Sequence, residues 1–401
     1  MSTATIKKTR VALTGNEAGA EAMRQIDPDV AAVFPITPQT ELMHAFAAFV
    51  ANGKVQTELV TVESEHSAMS ATLGASAAGA RAMTATSANG LALMWEIVYI
   101  AASSRLPIVM PVINRALSGP INIHCDHSDM MGCRDSGWIQ LFSENSQENY
   151  DNIIQAVRIA EHKDVLLPVM VGSDGFIISH AMETVEIYPD DIVKRFIGEY
   201  EPVHGLITDK KPYTFGPLDL QDYYMEHKRQ QHEAMLNARR VILEIGKEFG
   251  AQFGTGYGFF DTYKMEDAQY GIVAIGSTAG TARVMVDKMR EEGHKVGLMK
   301  LRVFRPFPGK EMRDALKHLK GLCVLDRCAS FGANGGPVFN ELRGEFNEMS
   351  EKPMIRNYVY GLGGRDINVG DLETLMHNTM DMVKTEQGNG SSEFYGARGD
   401  E

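Results

Sequence analysis

The chain has 401 residues, roughly two to three domains at ~150 residues each, and its 44% hydrophobic and 23% charged residues exclude an intrinsically disordered chain. Thirty-nine Lys and Arg against 52 Asp and Glu leave a formal charge of −13, which argues against a general nucleic-acid binder, since phosphates demand a basic footprint. No apolar run approaches the ~20 residues that span a bilayer, and the polar, basic residues 1–10 lack the apolar core of a secretory leader, so a cytoplasmic protein is expected.

The first half reads as strand-then-helix units. Residues 10–13 make a short apolar strand, and 15–26 a helix with Ala18, Ala22, Met23 and Ile26 on one face. A second strand at 31–34 leads to a helix from Pro38 to Ala51, whose Leu42, Phe46 and Phe49 face a core. A third strand at 58–62 feeds a helix from Glu65. That helix is rich in small residues between Ala68 and Gly79, suited to tight packing within one domain or to a close subunit or cofactor contact. Strands at 81–86, 107–113 and 167–171 alternate with helices at 91–103 and 147–162. Such alternation implies α/β architecture: a mainly parallel sheet with helices on both faces. The pattern stops near His180, and Pro189, Pro202, Pro212 and Pro217 punctuate the next stretch. A long charged helix over about 220–249 reads as a bridge between domains. A second βα series begins at Tyr270, with strands at 271–275, 296–299, 322–326 and 355–360 and helices from near Thr278, Gly309 and Pro337. The expected division is 1–250, including the connecting helix, then 260–385, then a disordered tail over 386–401 rich in Gly, Ser, Asp and Glu.

Ligands of an open parallel sheet bind beyond the C-terminal ends of its strands, so the strand-to-helix junctions hold the candidate chemistry. In Phe34-Pro35-Ile36-Thr37-Pro38, the Thr37 hydroxyl faces a ligand or caps the next helix. In Glu63-Ser64-Glu65-His66, Glu65 is either a carboxylate favoured at a helix N-terminus or one reserved for a ligand. After the strand at 107–113, Arg115 suits bidentate recognition of a carboxylate, or a structural pair with Asp135. His124, Cys125, Asp126, His127 and Cys133 hint at a metal. Structural zinc sites pair two short ligand dyads, however, and no second dyad is near, so no metal is expected. None of the four cysteines forms a C-x-x-C pair, so neither a disulfide framework nor a ferredoxin-type cluster is indicated. Gly276-Ser277-Thr278-Ala279-Gly280 offers backbone N–H groups to an anion, without the Gly-Lys-Ser/Thr of a P-loop.

Together these residues resemble the α subunit of the 2-oxoacid:ferredoxin oxidoreductases, the pyruvate:ferredoxin branch most of all. The matching segments are 34–38, 63–68, 74–81, Thr84-Ala85-Thr86-Ser87 with Gly90-Leu91-Ala92-Leu93-Met94, 114–118, 126–129 and 134–140, and the likeness extends over nearly the whole chain. The resemblance implies a pyrimidine-binding domain of a thiamine-diphosphate enzyme followed by a transketolase C-terminal-like α/β domain. It implies that Glu65 contacts N1′ of the aminopyrimidine and shifts the ring towards its imino tautomer. Thr37 and Arg115 then hold the substrate carboxylate, and Ile123 lines the substrate pocket. The implied reaction is coenzyme A-dependent oxidative decarboxylation of pyruvate to acetyl-CoA and CO2, or its reverse, with electrons passed to ferredoxin.

The family's diphosphate site carries Gly-Asp-Gly followed ~25–30 residues later by Asn, which places Mg2+ on the phosphates. Gly172-Ser173-Asp174-Gly175 only loosely echoes it, and no Asn lies between Asn152 and Asn237. The resemblance therefore implies a chain inactive alone. A β subunit would bring the diphosphate and Mg2+, and γ- and δ-type subunits the 4Fe–4S clusters. The same chemistry on a branched-chain 2-oxoacid, and a non-catalytic α/β scaffold subunit, are the alternatives.

Overall fold

The computed structural model describes residues 7–207, 212–387 and 392–399. A seven-stranded sheet runs in the order Val303–Arg305, Ile139–Phe142, Val169–Asp174, Val109–Asn114, Ala82–Met83, Val30–Val33, Glu58–Thr61. Every neighbouring pair is parallel except the first. The central strands Val109–Asn114 and Val169–Asp174 are buried at every position, as strands covered on both faces must be. Helix Ser146–Glu161 covers one face. Asn145 caps it by accepting from the N–H of Glu148, and most of its length is buried.

Several expectations shift in detail. The strand expected at 10–13 forms as Thr9–Thr14 but stands outside the large sheet, paired antiparallel with Met182–Ile187. Residues 91–103 divide into helices Ala88–Leu93 and Trp95–Ser103. The long helix, Tyr224–Phe253, lies on the first domain, with Val241, Ile242, Ile245, Phe249 and Phe253 buried in that core. Its Arg239 reaches across to the carbonyl of Phe307 and to Glu311.

The second sheet has six strands in the order Glu393–Phe394, Met354–Val359, Gly321–Asp326, Tyr270–Ile275, Val296–Leu301, Phe260–Tyr263, parallel except for the last. Its first strand corrects the expected tail disorder over 392–399. Glu393 pairs with Arg356 at 2.9 Å, and the Tyr395 hydroxyl donates to Asp371 at 3.0 Å. Composition averages hide that short strand and its aromatic neighbour. The rest of that expectation, residues 388–391 and 400–401, lies outside the described residues. Among the described residues, no helix is long and apolar enough to cross a membrane.

The two sheets share a core. Ala68, Leu91, Trp138 and Met170 on the side of the first sheet pack in one cluster with Val273, Met299, Val324 and Phe339 on the side of the second. At the polar end of this seam lies Asp174, fully buried. Its Oδ1 is 2.8 Å from His127 Nε2, and its Oδ2 accepts from Arg327 Nη1 at 3.0 Å, Ser277 N at 3.0 Å and Ser277 Oγ at 2.5 Å. The loop expected to hold an anion thus holds a carboxylate of the chain itself. Gly276 leaves room for it, since a Cβ there would lie 2.6 Å from Asp174 Oδ1.

Burial alone would raise the pKa of Asp174, but His127 and Arg327 outweigh it and hold the carboxyl well below the ordinary value of ~3.9. A depressed folded-state pKa contributes stability that is complete above the unfolded value and lost only as pH falls through the folded one. This pair therefore acts at full strength at neutral pH. Asp174→Asn leaves Arg327 buried without its counter-charge, and unfolding in denaturant is expected to show a loss of ~3–5 kcal/mol.

Candidate active site at the edge of the first sheet

Because strands Val30–Val33, Glu58–Thr61, Ala82–Met83 and Val109–Asn114 are adjacent and parallel, the loops after them converge on one edge. These loops carry Thr37, Glu65, Ala88 and Arg115.

Glu65 opens helix Glu65–Ala78 but does not cap it. Ser64 takes that role, its hydroxyl accepting from the N–H of Ser67 at 3.2 Å. The Glu65 side chain is 8% exposed, and no hydrogen bond to its carboxylate forms among the described residues. It lies against Gly90. A Cβ on Gly90 would stand 2.9 Å from Glu65 Oε1 and 2.4 Å from Thr86 Oγ1. The Thr86 and Ser87 hydroxyls are buried and lack partners as well. A carboxylate and two hydroxyls without partners among the described residues thus lie on neighbouring segments at this edge, groups of the kind that polar partners ordinarily satisfy.

Arg115 is 7% exposed. The pair with Asp135 allowed by sequence does not form; Asp135 lies nearer Arg305, at 3.6 Å. Instead the Arg115 guanidinium is gripped by main-chain oxygens. Nη1 donates to Thr37 O at 2.8 Å and Nε to Asn122 O at 3.0 Å, while Nη2 keeps no partner among the described residues. Thr37 does not cap a helix; helix Thr40–Ala51 starts beyond Gln39 without a side-chain cap. Thr37 is exposed, and its carbonyl steers Arg115. Ile123 is 41% exposed, on the lip of the loop closed by the bond from Ala116 N to His124 O.

Asp129 was not singled out by sequence reasoning, although it lies in the matching segment 126–129. Its Oδ1 accepts from Asn114 Nδ2 at 2.9 Å and Met130 N at 2.8 Å, its Oδ2 from Arg115 N at 3.0 Å and Ala88 N at 3.1 Å. One carboxylate thereby ties the Arg115 loop to the segment that carries Gly90. It also holds Ala88 at φ 38°, a left-handed conformation unusual for a side-chain-bearing residue.

Cys125, His127 and Asp174 place one ligand atom each within 4.8 Å of the others. Arg327 on Asp174 opposes a cation there, and burial keeps the Cys125 thiol protonated. Two hollows of about 410 and 300 Å3 lie elsewhere, around Glu226 to Asn237 and around Ala329 to Gly335, and neither is lined by Glu65 or Arg115.

Residues 21–247 match the family described as pyruvate flavodoxin/ferredoxin oxidoreductase, thiamine diP-bdg, and residues 268–372 match pyruvate:ferredoxin oxidoreductase core domain II. The chain is 62% identical over 358 residues to pyruvate synthase subunit PorA of Thermotoga maritima, covering 89% of this chain and 91% of that one. Ketoisovalerate oxidoreductase subunit VorA of Pyrococcus horikoshii is 40% identical over 384 residues, 96% of this chain and 97% of that one. Among solved structures, a 2-oxoglutarate:ferredoxin oxidoreductase from Magnetococcus marinus superposes with a TM-score of 0.71 at 21% identity, over 93% of this chain and 66% of that longer chain. A split-gene transketolase gives 0.55 at 11% identity, over 92% of this chain and 99% of that one. These two likenesses are of fold.

Burial pushes the Asp129 carboxyl up to about 6, although four donors favour its anion. With the folded pKa above the unfolded value of ~3.9, its contribution to stability is greatest below that value and is lost as pH rises through about 6. The ionised tie that orders the two loops is thus kept at a cost to stability. In Asp129→Asn, infrared difference spectra should lose one of the carboxyls titrating near pH 6. Amide exchange at Ala88 and Arg115 should quicken about 10- to 100-fold, the equivalent of losing a bond to a charged acceptor, ~1.5–3 kcal/mol.

Proposed function

The chain belongs to the pyruvate:ferredoxin oxidoreductase family, and from that membership we propose how it serves as the α subunit of a pyruvate synthase, a thiamine-diphosphate-dependent enzyme. The observation that carries the proposal is the carboxylate of Glu65, a mostly buried residue, which accepts no hydrogen bond among the described residues and lies beside Gly90 and Thr86. Polar side chains without internal partners suit a ring with polar nitrogen edges, and Glu65, Thr86 and Ser87 are the residues that would hold the aminopyrimidine. When bound, thiamine supplies the electron sink that a 2-oxoacid needs in order to lose CO2. Glu65 would hold a proton on its carboxyl and share it with the ring nitrogen it contacts, a role its freedom from internal bonds leaves open.

Arg115 receives the substrate carboxylate through Nη2, its other nitrogens fixed by Thr37 O and Asn122 O. The exposed Thr37 hydroxyl adds a second donor at the same edge. Ile123 offers an apolar wall for the substrate's carbon chain. Pyruvate is favoured over a branched-chain acid because the pyruvate synthase relative is 62% identical and the ketoisovalerate relative 40%.

The site is half a site. Asp174, in the loose echo of a diphosphate motif, is spent on Arg327 and Ser277. Leu93, Trp95, Leu117 and Ile121 stand exposed near the site edge, a face suited to another subunit. On this reading a β subunit brings the diphosphate grip and Mg2+, and γ- and δ-type subunits carry 4Fe–4S clusters that feed ferredoxin. Coenzyme A is the co-substrate of a cytoplasmic complex.

The purified chain is expected to show no turnover with thiamine diphosphate, Mg2+, pyruvate, coenzyme A and an electron acceptor. In the assembled complex, Glu65→Gln should lower turnover ~10²–10⁴-fold, the usual worth of a positioned proton carrier, with the complex intact by gel filtration. Near-normal turnover would instead mark the chain as a scaffold.

A further inference from the structure

The loop 115–124, which carries Arg115 and Ile123, has little core of its own. Ile121 is 77% exposed and Leu117 36%. The loop rests instead on a glycine turn of the second domain. Asn122 Nδ2 donates to Gly363 O at 3.0 Å. Gly364 N donates to Cys125 O at 2.7 Å, and Gly363 N to Asp126 Oδ2 at 3.3 Å. The approach is close enough to require glycine. A Cβ on Gly363 would stand 2.4 Å from Asn122 Nδ2, and one on Gly364 2.4 Å from His124 Cβ, while the two residues hold φ of 60° and 80°.

Asn122 faces both ways. Its side-chain oxygen accepts from His124 N at 2.7 Å, and its main-chain oxygen accepts from Arg115 Nε at 3.0 Å. A continuous path therefore runs from Gly363 through Asn122 to the guanidinium.

We propose that the turn at 361–364 of the second domain sets the position of the substrate loop, and that Asn122 is the positioning residue that passes this setting to Arg115. The proposal rests on the reading that Arg115 holds the substrate carboxylate. It gives the second domain a part in substrate choice, because a shift of the loop moves Ile123 relative to Arg115 and alters the room left for the carbon chain.

The test uses the assembled complex, with pyruvate and a branched-chain 2-oxoacid as competing substrates. Asn122→Ala should raise the pyruvate KM ~10-fold with kcat within about 2-fold, and should narrow the preference for pyruvate. Asn122→Asp keeps the acceptor for His124 N but loses the donor to Gly363 O, so it should behave like Asn122→Ala. Gly364→Ala should shift KM and preference in the same direction. If that variant does not assemble, the Asn122 pair decides. A raised KM in Arg115→Ala with unchanged Asn122→Ala kinetics overturns the inference and leaves the site reading standing. So does full recovery in Asn122→Asp, which would make the effect local to the loop. An unchanged KM in Arg115→Ala overturns the site reading, and the inference with it.

Discussion

A buried ion pair holds this molecule in register. Asp174 ends a strand of the first sheet, and Arg327 follows a strand of the second. Their contact at 3.0 Å, joined by His127 and Ser277, pins the C-terminal edges of the two sheets together. Removing two charges from water is costly, and only a well-formed pair with further hydrogen bonds recovers the loss. The arrangement therefore tolerates little displacement. Arg327 also donates to Gly361 O, so the same cation that closes the domain seam steadies the glycine turn beneath the loop 115–124.

Three buried carboxylates meet three different environments within this neighbourhood. Asp174 faces the Arg327 guanidinium and the His127 ring, and its pKa falls. Asp129 faces only neutral donors, and burial raises its pKa to about 6. Glu65 accepts no hydrogen bond among the described residues. The contrast separates their structural roles, since the first joins domains, the second orders loops, and the third bonds to nothing among the described residues.

Much of this was legible in the sequence where the signal is local. The apolar runs that became Val109–Asn114 and Val169–Asp174, and the helices beginning at Thr278, Gly309 and Pro337, follow directly from residue pattern. Which strand pairs with which is a property of the folded chain, so Thr9–Thr14 could be seen as a strand but not as the partner of Met182–Ile187. The junction Glu63-Ser64-Glu65 holds both a capping residue and a free carboxylate, and periodicity cannot say which is which; the hydroxyl of Ser64 at the N–H of Ser67 decides it. The glycine loop at 276 was legible as an anion cradle. The anion itself, 102 positions earlier at Asp174, was not, because no local pattern encodes a contact between distant segments.

Strand Val303–Arg305 belongs by chain order to the second βα series, yet it completes the first sheet beside Ile139–Phe142. The domains are therefore not separable modules. A fragment ending after the long helix would bare the full hydrogen-bonding edge of Ile139–Phe142, a buried apolar strand, and an uncovered edge of that kind is a template for intermolecular pairing and precipitation. Dissection of this protein at its apparent border would yield insoluble material, and a natural gene fission there would have to carry that one strand along with the N-terminal piece.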